Sequence, residues 1–214
     1  MGEGRGEFKN PAMNTFLALG DSYTIGEGVA PGERWPVQLA ARLRGEDIEV
    51  ADPQIVAATG WTTDELSAAL DAATIAPPFA LVTLLIGVNN QYRGRGPDEY
   101  RDQYRVLLQR SIRLAGGNAA CVIAVSIPDW GVTPFARGEG RDASAVARAI
   151  DAFNAAARAE SGKVGARWID VTGISRAPGS CDELVADGLH PSAAQYARWV
   201  EAMLPAAERA LRGN

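Results

Sequence analysis

One histidine, His190, occurs in this chain of 214 residues, within Asp187-Gly188-Leu189-His190-Pro191-Ser192. Near the other end, Ser22 follows an apolar run in Leu19-Gly20-Asp21-Ser22-Tyr23-Thr24. A serine hydroxyl is a poor nucleophile near neutral pH and needs an adjacent base. This chain has one imidazole to supply it. Asp187, three residues earlier, is placed to accept from Nδ1–H, fix the tautomer and leave Nε2 for a serine. The same residues admit plainer roles. Asp21 and Ser22 also suit a turn or helix cap, and a lone histidine can cap a helix or sit on the surface.

Two further segments could handle a developing negative charge. In Ala58-Thr59-Gly60-Trp61-Thr62, a glycine lets another group approach its backbone N–H closely. It precedes a helix, whose N-terminus favours anions. In Ile86-Gly87-Val88-Asn89-Asn90-Gln91, three neutral amides follow the most apolar run of the chain. A carboxamide N–H can donate to an oxyanion without adding charge to the free site. A plain turn glycine and a solvated turn of self-bonding amides are the competing readings.

The elements that must position these residues alternate between strand and helix. Apolar runs at Thr15–Gly20, Phe79–Ile86, Ala119–Ile127 and Val164–Val171 read as buried strands, with shorter candidates at Ile48–Ala51 and Ile55–Ala58. Helical spacing marks Trp35–Arg44, Thr62–Ala73, Pro97–Ala115, Ser144–Ser161 and Pro191–Leu211. Thr62 and Glu65 form a possible capping box. Pro191 is expected in the first turn of the last helix, and Pro128–Arg141 and Thr172–Ala186 are expected as loops. Strands separated by helices imply crossovers and a mostly parallel sheet covered on both faces, an α/β fold. In such sheets the site lies beyond the carboxyl ends of the strands. That places Ser22, Gly60, Asn89 and the Pro128–Arg141 loop on one rim.

Composition narrows the function. Hydrophobic content is 47% and charged content 22%, as in globular proteins. A net charge of −5 argues against nucleic-acid binding, which shows as a basic patch. No run reaches membrane-spanning length. Residues 1–13 have no apolar core of a secretory signal and are expected to be a flexible extension ahead of one domain at 14–214. A cytoplasmic location is expected. Cys121 reads as a buried thiol in a strand and Cys181 as a loop thiol, with no disulfide favoured. One histidine and no paired-cysteine motif leave no recognisable zinc site.

Taken in order, the four segments resemble the blocks of the SGNH (GDSL-type) hydrolases. The chain matches them as Gly20-Asp21-Ser22, Gly60, Gly87-Val88-Asn89-Asn90 and Asp187-Gly188-Leu189-His190, over about residues 15–200. Members often carry aspartate where this chain has Asn90, so local hydrogen bonding is expected to differ there. The resemblance implies a flavodoxin-like three-layer α/β/α sandwich and hydrolysis of small carboxylic esters, thioesters or acetylated sugars. It implies no metal or organic cofactor and no membrane insertion. Ser22 would be the nucleophile, His190 the base and then acid, and Asp187 its orienting group. The Ser22 N–H, the Gly60 N–H and the Asn89 amide would form the oxyanion hole. The α/β-hydrolase fold would need Gly-x-Ser-x-Gly, but position 24 is threonine.

Acyl transfer to an alcohol on the same residues is the nearest alternative. A flavodoxin-like binding module is another, although the chain lacks both common phosphate-loop patterns. Trp61, Tyr92, Trp130 and Phe135 come from three rim segments. Trp130 and Phe135 are expected either to pin their loop to the domain or, with the other two, to form an apolar wall for a small, short-chain ester.

Overall fold

The computed structural model describes residues 13–213. Of the extension expected at residues 1–13, all but the exposed Met13 lies outside the described residues. Five strands form one sheet in the order β2-β1-β3-β4-β5, every pair parallel. They are β1 (Phe16–Gly20), β2 (Gln54–Ala57), β3 (Leu81–Leu85), β4 (Val122–Val125) and β5 (Arg167–Ile169).

The three central strands, β1, β3 and β4, are buried at every residue. A strand covered on both faces cannot alternate polar and apolar residues, so it reads as a continuous apolar run. The edge strands β2 and β5 are half-buried throughout. Truncating a fully buried residue such as Leu19 to alanine is expected to cost about 2–5 kcal/mol.

Long helices cover both faces. On one side α2 (Trp35–Gly45) packs against α9 (Ala193–Arg212). On the other, α5 (Pro97–Leu114) packs against α3 (Thr63–Ala72) and α7 (Ala143–Val164). This is a three-layer α/β fold of flavodoxin-like strand order, with its switch point between β1 and β3. Short helices follow strand ends or interrupt loops: α1 (Ser22–Ile25), α4 (Val88–Tyr92), α6 (Pro134–Gly138) and α8 (Thr172–Ser175). Among the described residues no helix is long and apolar enough to cross a membrane.

Several boundaries differ from the sequence expectation. Ile48–Ala51 forms no strand; it contributes a single bridge, Asn14 with Val50. Val164 ends α7 and does not open β5, because Gly165 terminates the helix in the left-handed region at φ 79°. Asn118 caps a 3₁₀ turn at Ala119–Cys121, so β4 starts at Val122 and Cys121 is half-buried outside the strand. Pro191 is held in an extended bridge to Leu184, so α9 begins two residues later, behind the N-cap Ser192. The expected loops contain short helical turns, at Trp130–Val132 and α6 in the first, and at α8 and Ser180–Glu183 in the second.

Candidate active site

At the carboxyl end of β1 the chain turns sharply into α1. Gly20 is required there, since a Cβ would overlap the Thr24 side chain and the Leu85 carbonyl. Asp21 is the N-cap of α1 and accepts the Tyr23 N–H on Oδ1 at 3.1 Å. Ser22 is therefore the first helical residue, and its N–H has no intrahelical acceptor. Asp21 is fully buried, and its Oδ2 makes no hydrogen bond. Burial pushes its carboxyl up to about 7, against the partial compensation of the backbone N–H groups of Tyr23, Asp21 and Gly87.

His190 comes from the loop before α9 and reaches Ser22 across 168 positions of sequence, with Nε2 at 3.0 Å from Oγ. Its Nδ1 lies 2.6 Å from Asp187 Oδ2. The other carboxylate oxygen accepts the backbone N–H groups of Leu189, at 2.8 Å, and His190, at 3.0 Å. One aspartate thus fixes both the loop backbone and the ring it carries. Partial burial pulls the Asp187 carboxyl upward. The hydrogen bonds from the His190 ring and the two backbone N–H groups outweigh it, helped by the imidazole's charge, and leave the carboxyl below its ordinary value. Tyr23 packs beneath the imidazole, ring centroids 5.5 Å apart. Ser22 and His190 are 5% and 8% exposed, low enough to limit water yet open to a ligand.

The other two rim segments converge on the same place. Gly60 has φ 84°, a backbone conformation that disfavours any side chain. Its carbonyl is held by Arg93 Nη2 at 2.6 Å, and Arg93 is paired in turn with Glu65. Thr62 caps α3 with the expected capping box, its N–H donating to Glu65 at 2.8 Å. The Thr62 hydroxyl also donates to Asp64 at 2.5 Å. Asn89 lies on α4 immediately past β3 and donates from Nδ2 to the Trp61 carbonyl at 2.9 Å. An amide nitrogen carries two hydrogens, so a second remains for a ligand.

These residues line an open cavity of about 210 Å³. Ser22, Gly60, Asn89 and His190 share its wall with Tyr92, Trp130 and Phe135. Trp61 is not on that wall. Its side chain packs half-buried against the core, and its backbone carbonyl, not its ring, serves the site. Tyr23, Thr59, Val88 and Leu189 also line the cavity, without any sequence signal to single them out. Trp130 donates from Nε1 to Gln91 Oε1 at 2.8 Å and packs edge-on to both Tyr92 and Phe135. Phe135 N–H donates to the Gly188 carbonyl at 3.1 Å, which ties the aromatic loop to the His190 loop. Both cysteines are free thiols. Among the described residues no cluster of His, Cys, Asp and Glu could hold a metal ion.

A hydroxyl beside an imidazole, an imidazole beside a carboxylate, and a carboxamide lining the same cavity can together support nucleophilic attack on a carbonyl. A model of the GDSL-like Lipase/Acylhydrolase family matches residues 18–198. No curated protein matches the chain. Solved structures share the fold. The psychrotrophic esterase EstA from Pseudoalteromonas sp., in a structure inhibited by monoethylphosphonate, is 18% identical with a TM-score of 0.71, covering 93% of this chain and 99% of its own. A lipase/acylhydrolase from Enterococcus faecalis is 22% identical with a TM-score of 0.69, covering 94% and 97%. Axe2, an acetylxylan esterase from Geobacillus stearothermophilus, is 20% identical with a TM-score of 0.68, covering 91% and 94%.

Proposed function

Because the chain belongs to the GDSL-like Lipase/Acylhydrolase family, we propose that it hydrolyses small carboxylic esters through an acyl-enzyme on Ser22, within a hydrolase domain at residues 14–214. The observation that carries this reading is the chain of contacts from Asp187 Oδ2 to His190 Nδ1 at 2.6 Å and from His190 Nε2 to Ser22 Oγ at 3.0 Å.

In the first half-reaction Ser22 Oγ attacks the ester carbonyl carbon while His190 Nε2 takes its proton. Asp187 stabilises the imidazolium and keeps the ring aimed. The carbonyl oxygen becomes an oxyanion that accepts from the Ser22 and Gly60 N–H groups and the second amide hydrogen of Asn89. Collapse of the tetrahedral intermediate breaks the ester C–O bond, and the imidazolium protonates the departing alcohol. Water then attacks the acyl-enzyme, with His190 again as base, and the acid is released. Neutral donors suit this chemistry, because they favour the transition-state charge without holding a permanent anion in the ground state. The acetylxylan esterase among the similar folds makes acetylated sugars a reasonable member of the substrate panel.

The test has two parts. Purified protein is assayed with 4-nitrophenyl acetate and butyrate and treated with an organophosphonate. Hydrolysis, with label on Ser22 and neither activity nor label in Ser22→Ala, is expected. Hydrolysis that persists in Ser22→Ala would exclude the proposed nucleophile. Transfer of the acyl group to an added alcohol in preference to water would make the protein an acyltransferase.

A further inference from the structure

The aromatic wall of the cavity carries a cation. The Arg141 guanidinium lies 5.2 Å from the Tyr92 ring centroid and 5.8 Å from that of Trp130. Both rings line the cavity with Ser22 and His190. The backbone places the arginine there: its N–H donates to the Ala136 carbonyl at 2.9 Å, just past α6. The next residue, Asp142, is the N-cap of α7, and its Oδ1 accepts from Ser144 and Ala145. One oxygen of the nearest carboxylate in sequence is therefore committed to the helix start.

Among the described residues Arg141 forms no ion pair with a carboxylate. Several nearby arginines do: Arg93 with Glu65, Arg95 with Asp64, and Arg176 with Asp129 and Asp151. A guanidinium resting over ring faces keeps its N–H edges free, and those edges match a carboxylate bidentately. Among the described residues that line the cavity there is no Asp, Glu, Lys or Arg. The Arg141 guanidinium thus rests, without a carboxylate partner among the described residues, against two rings of an apolar wall.

We propose that Arg141 makes the site selective for small esters bearing a carboxylate distal to the scissile bond. The inference rests on the ester-hydrolase reading above and specifies its substrate class. With the ester carbonyl at Ser22, a chain lying along Trp130 and Tyr92 brings its far end toward the guanidinium. The contact is made equally in ground and transition states, so it lowers KM more than it raises kcat.

The test uses two matched pairs. For the acyl side, the mono-4-nitrophenyl ester of adipic acid is compared with 4-nitrophenyl hexanoate. For the alcohol side, 4-acetoxybenzoate is compared with 4-acetoxybenzamide. In at least one pair the anionic member is expected to have a kcat/KM about tenfold higher, mainly through KM, and the preference is expected to shrink in about 0.5 M salt. Arg141→Gln should abolish the preference while leaving the neutral member within about twofold, and Arg141→Lys should keep part of it. Equal or better turnover of the neutral member in both pairs, or a preference that survives Arg141→Gln, overturns the inference alone. No turnover of any of the four compounds by protein that hydrolyses 4-nitrophenyl acetate also overturns the inference alone, whereas failure on 4-nitrophenyl acetate and butyrate as well overturns the hydrolase reading and the inference with it.

Discussion

Asn90 and Thr63 close a two-point clasp: Asn90 Oδ1 accepts the Thr63 backbone N–H at 3.0 Å, and Asn90 Nδ2 donates to Thr63 Oγ1 at 2.7 Å. Both residues are fully buried. Thr63 opens α3, three residues past Gly60, and Asn90 follows Asn89 on α4. The clasp therefore holds two proposed oxyanion donors, which come from different strand ends, in one spatial relationship. The Asn89 bond to the Trp61 carbonyl lies between them and completes the same join.

Asn90→Ala should leave the buried Thr63 N–H without an acceptor, costing about 1–3 kcal/mol of stability. It should also lower kcat, because the two donors lose their register. Asn90→Asp keeps an acceptor for the Thr63 N–H at the start of a helix, and the Thr63 hydroxyl can donate to the second oxygen by turning from Gln103 Oε1, its present acceptor. We expect its kcat to stay within about threefold of wild type, under 1 kcal/mol in barrier. Urea melts and turnover of both variants check this. If Asn90→Asp were as impaired as Asn90→Ala, the hydrogen bond donated by the amide would be the part that matters.

Ser22→Ala and His190→Ala should each lower kcat by at least about 10³-fold with folding retained, because each removes one member of a unit that acts together. Asp187→Ala should lose less turnover than either, although it also frees the Leu189 and His190 N–H groups. Circular dichroism and steady-state rates measured together decide it. Near-normal rates in His190→Ala would sink the mechanism, since the chain has no other imidazole.

What the sequence made legible follows from how each feature is encoded. Leu81–Leu85 and Val122–Val125 are apolar at nearly every position because both faces are covered, so composition alone revealed them. The long helices α5 and α7 repeat an apolar face over several turns. By contrast α1 and α4 are too short to show a period, and only the strand end before each hinted that the chain turns there. Ile48–Ala51 has strand-like residues but too few hydrogen-bonded partners to form one. Ser22, Gly60, Asn89, Asp187 and His190 were visible as residue types at strand ends. The partners that aim them were not. Arg93 on the Gly60 carbonyl, Gln91 on the Trp130 indole and Asn90 on Thr63 are contacts between distant segments, and nothing local marks them. Trp61 is adjacent to Gly60 in sequence, yet its side chain packs half-buried against the core, and of the two only Gly60 lines the cavity.

Asn89→Ala should lower kcat on the order of 10²-fold or more with a smaller change in KM, because its amide is proposed to meet the charge that develops on reaction. The substitution also frees the Trp61 carbonyl, so stability should be measured alongside. A raised KM with unchanged kcat would instead make Asn89 a residue that binds substrate in its ground state.

Stability should depend on pH through two aspartates of opposite sign. Asp21 is pushed by burial from 3.8 to about 7, so the folded chain holds a proton there that the unfolded chain has released. Its contribution is full below about pH 4 and is lost as pH rises through about 7. Asp187 is held below its ordinary value, with burial opposing and hydrogen bonds from His190 and Leu189 prevailing. Its contribution is present above the ordinary carboxylate range and is lost as pH falls through its folded value. Asp21→Asn removes the first dependence and leaves the second. Urea unfolding at intervals from about pH 4 to 8 should therefore show a shallower decline for Asp21→Asn than for wild type. Identical slopes would mean that Asp21 does not titrate in this window.

Acyl length should be limited by the aromatic wall. Trp130 is 3% exposed and sits between Tyr92 and Phe135, fixed by its bond to Gln91. The cavity of about 210 Å³ falls below the roughly 300–1,000 Å³ of sites that enclose drug-sized ligands. A wall built from bonded, interlocked rings cannot yield to a long chain without breaking those contacts. We expect an optimum at short acyl chains, roughly two to six carbons, and no activation by micelles. Trp130→Ala should move the optimum to longer chains while costing on the order of 3–5 kcal/mol of stability. Rates across acyl lengths for both proteins, with melting curves, separate two roles for the tryptophan. A wild-type optimum at ten or more carbons would refute the size limit. A Trp130→Ala protein that is less stable but keeps the wild-type chain-length profile would show that the ring only pins its loop to Gln91 and leaves the acyl group to other residues.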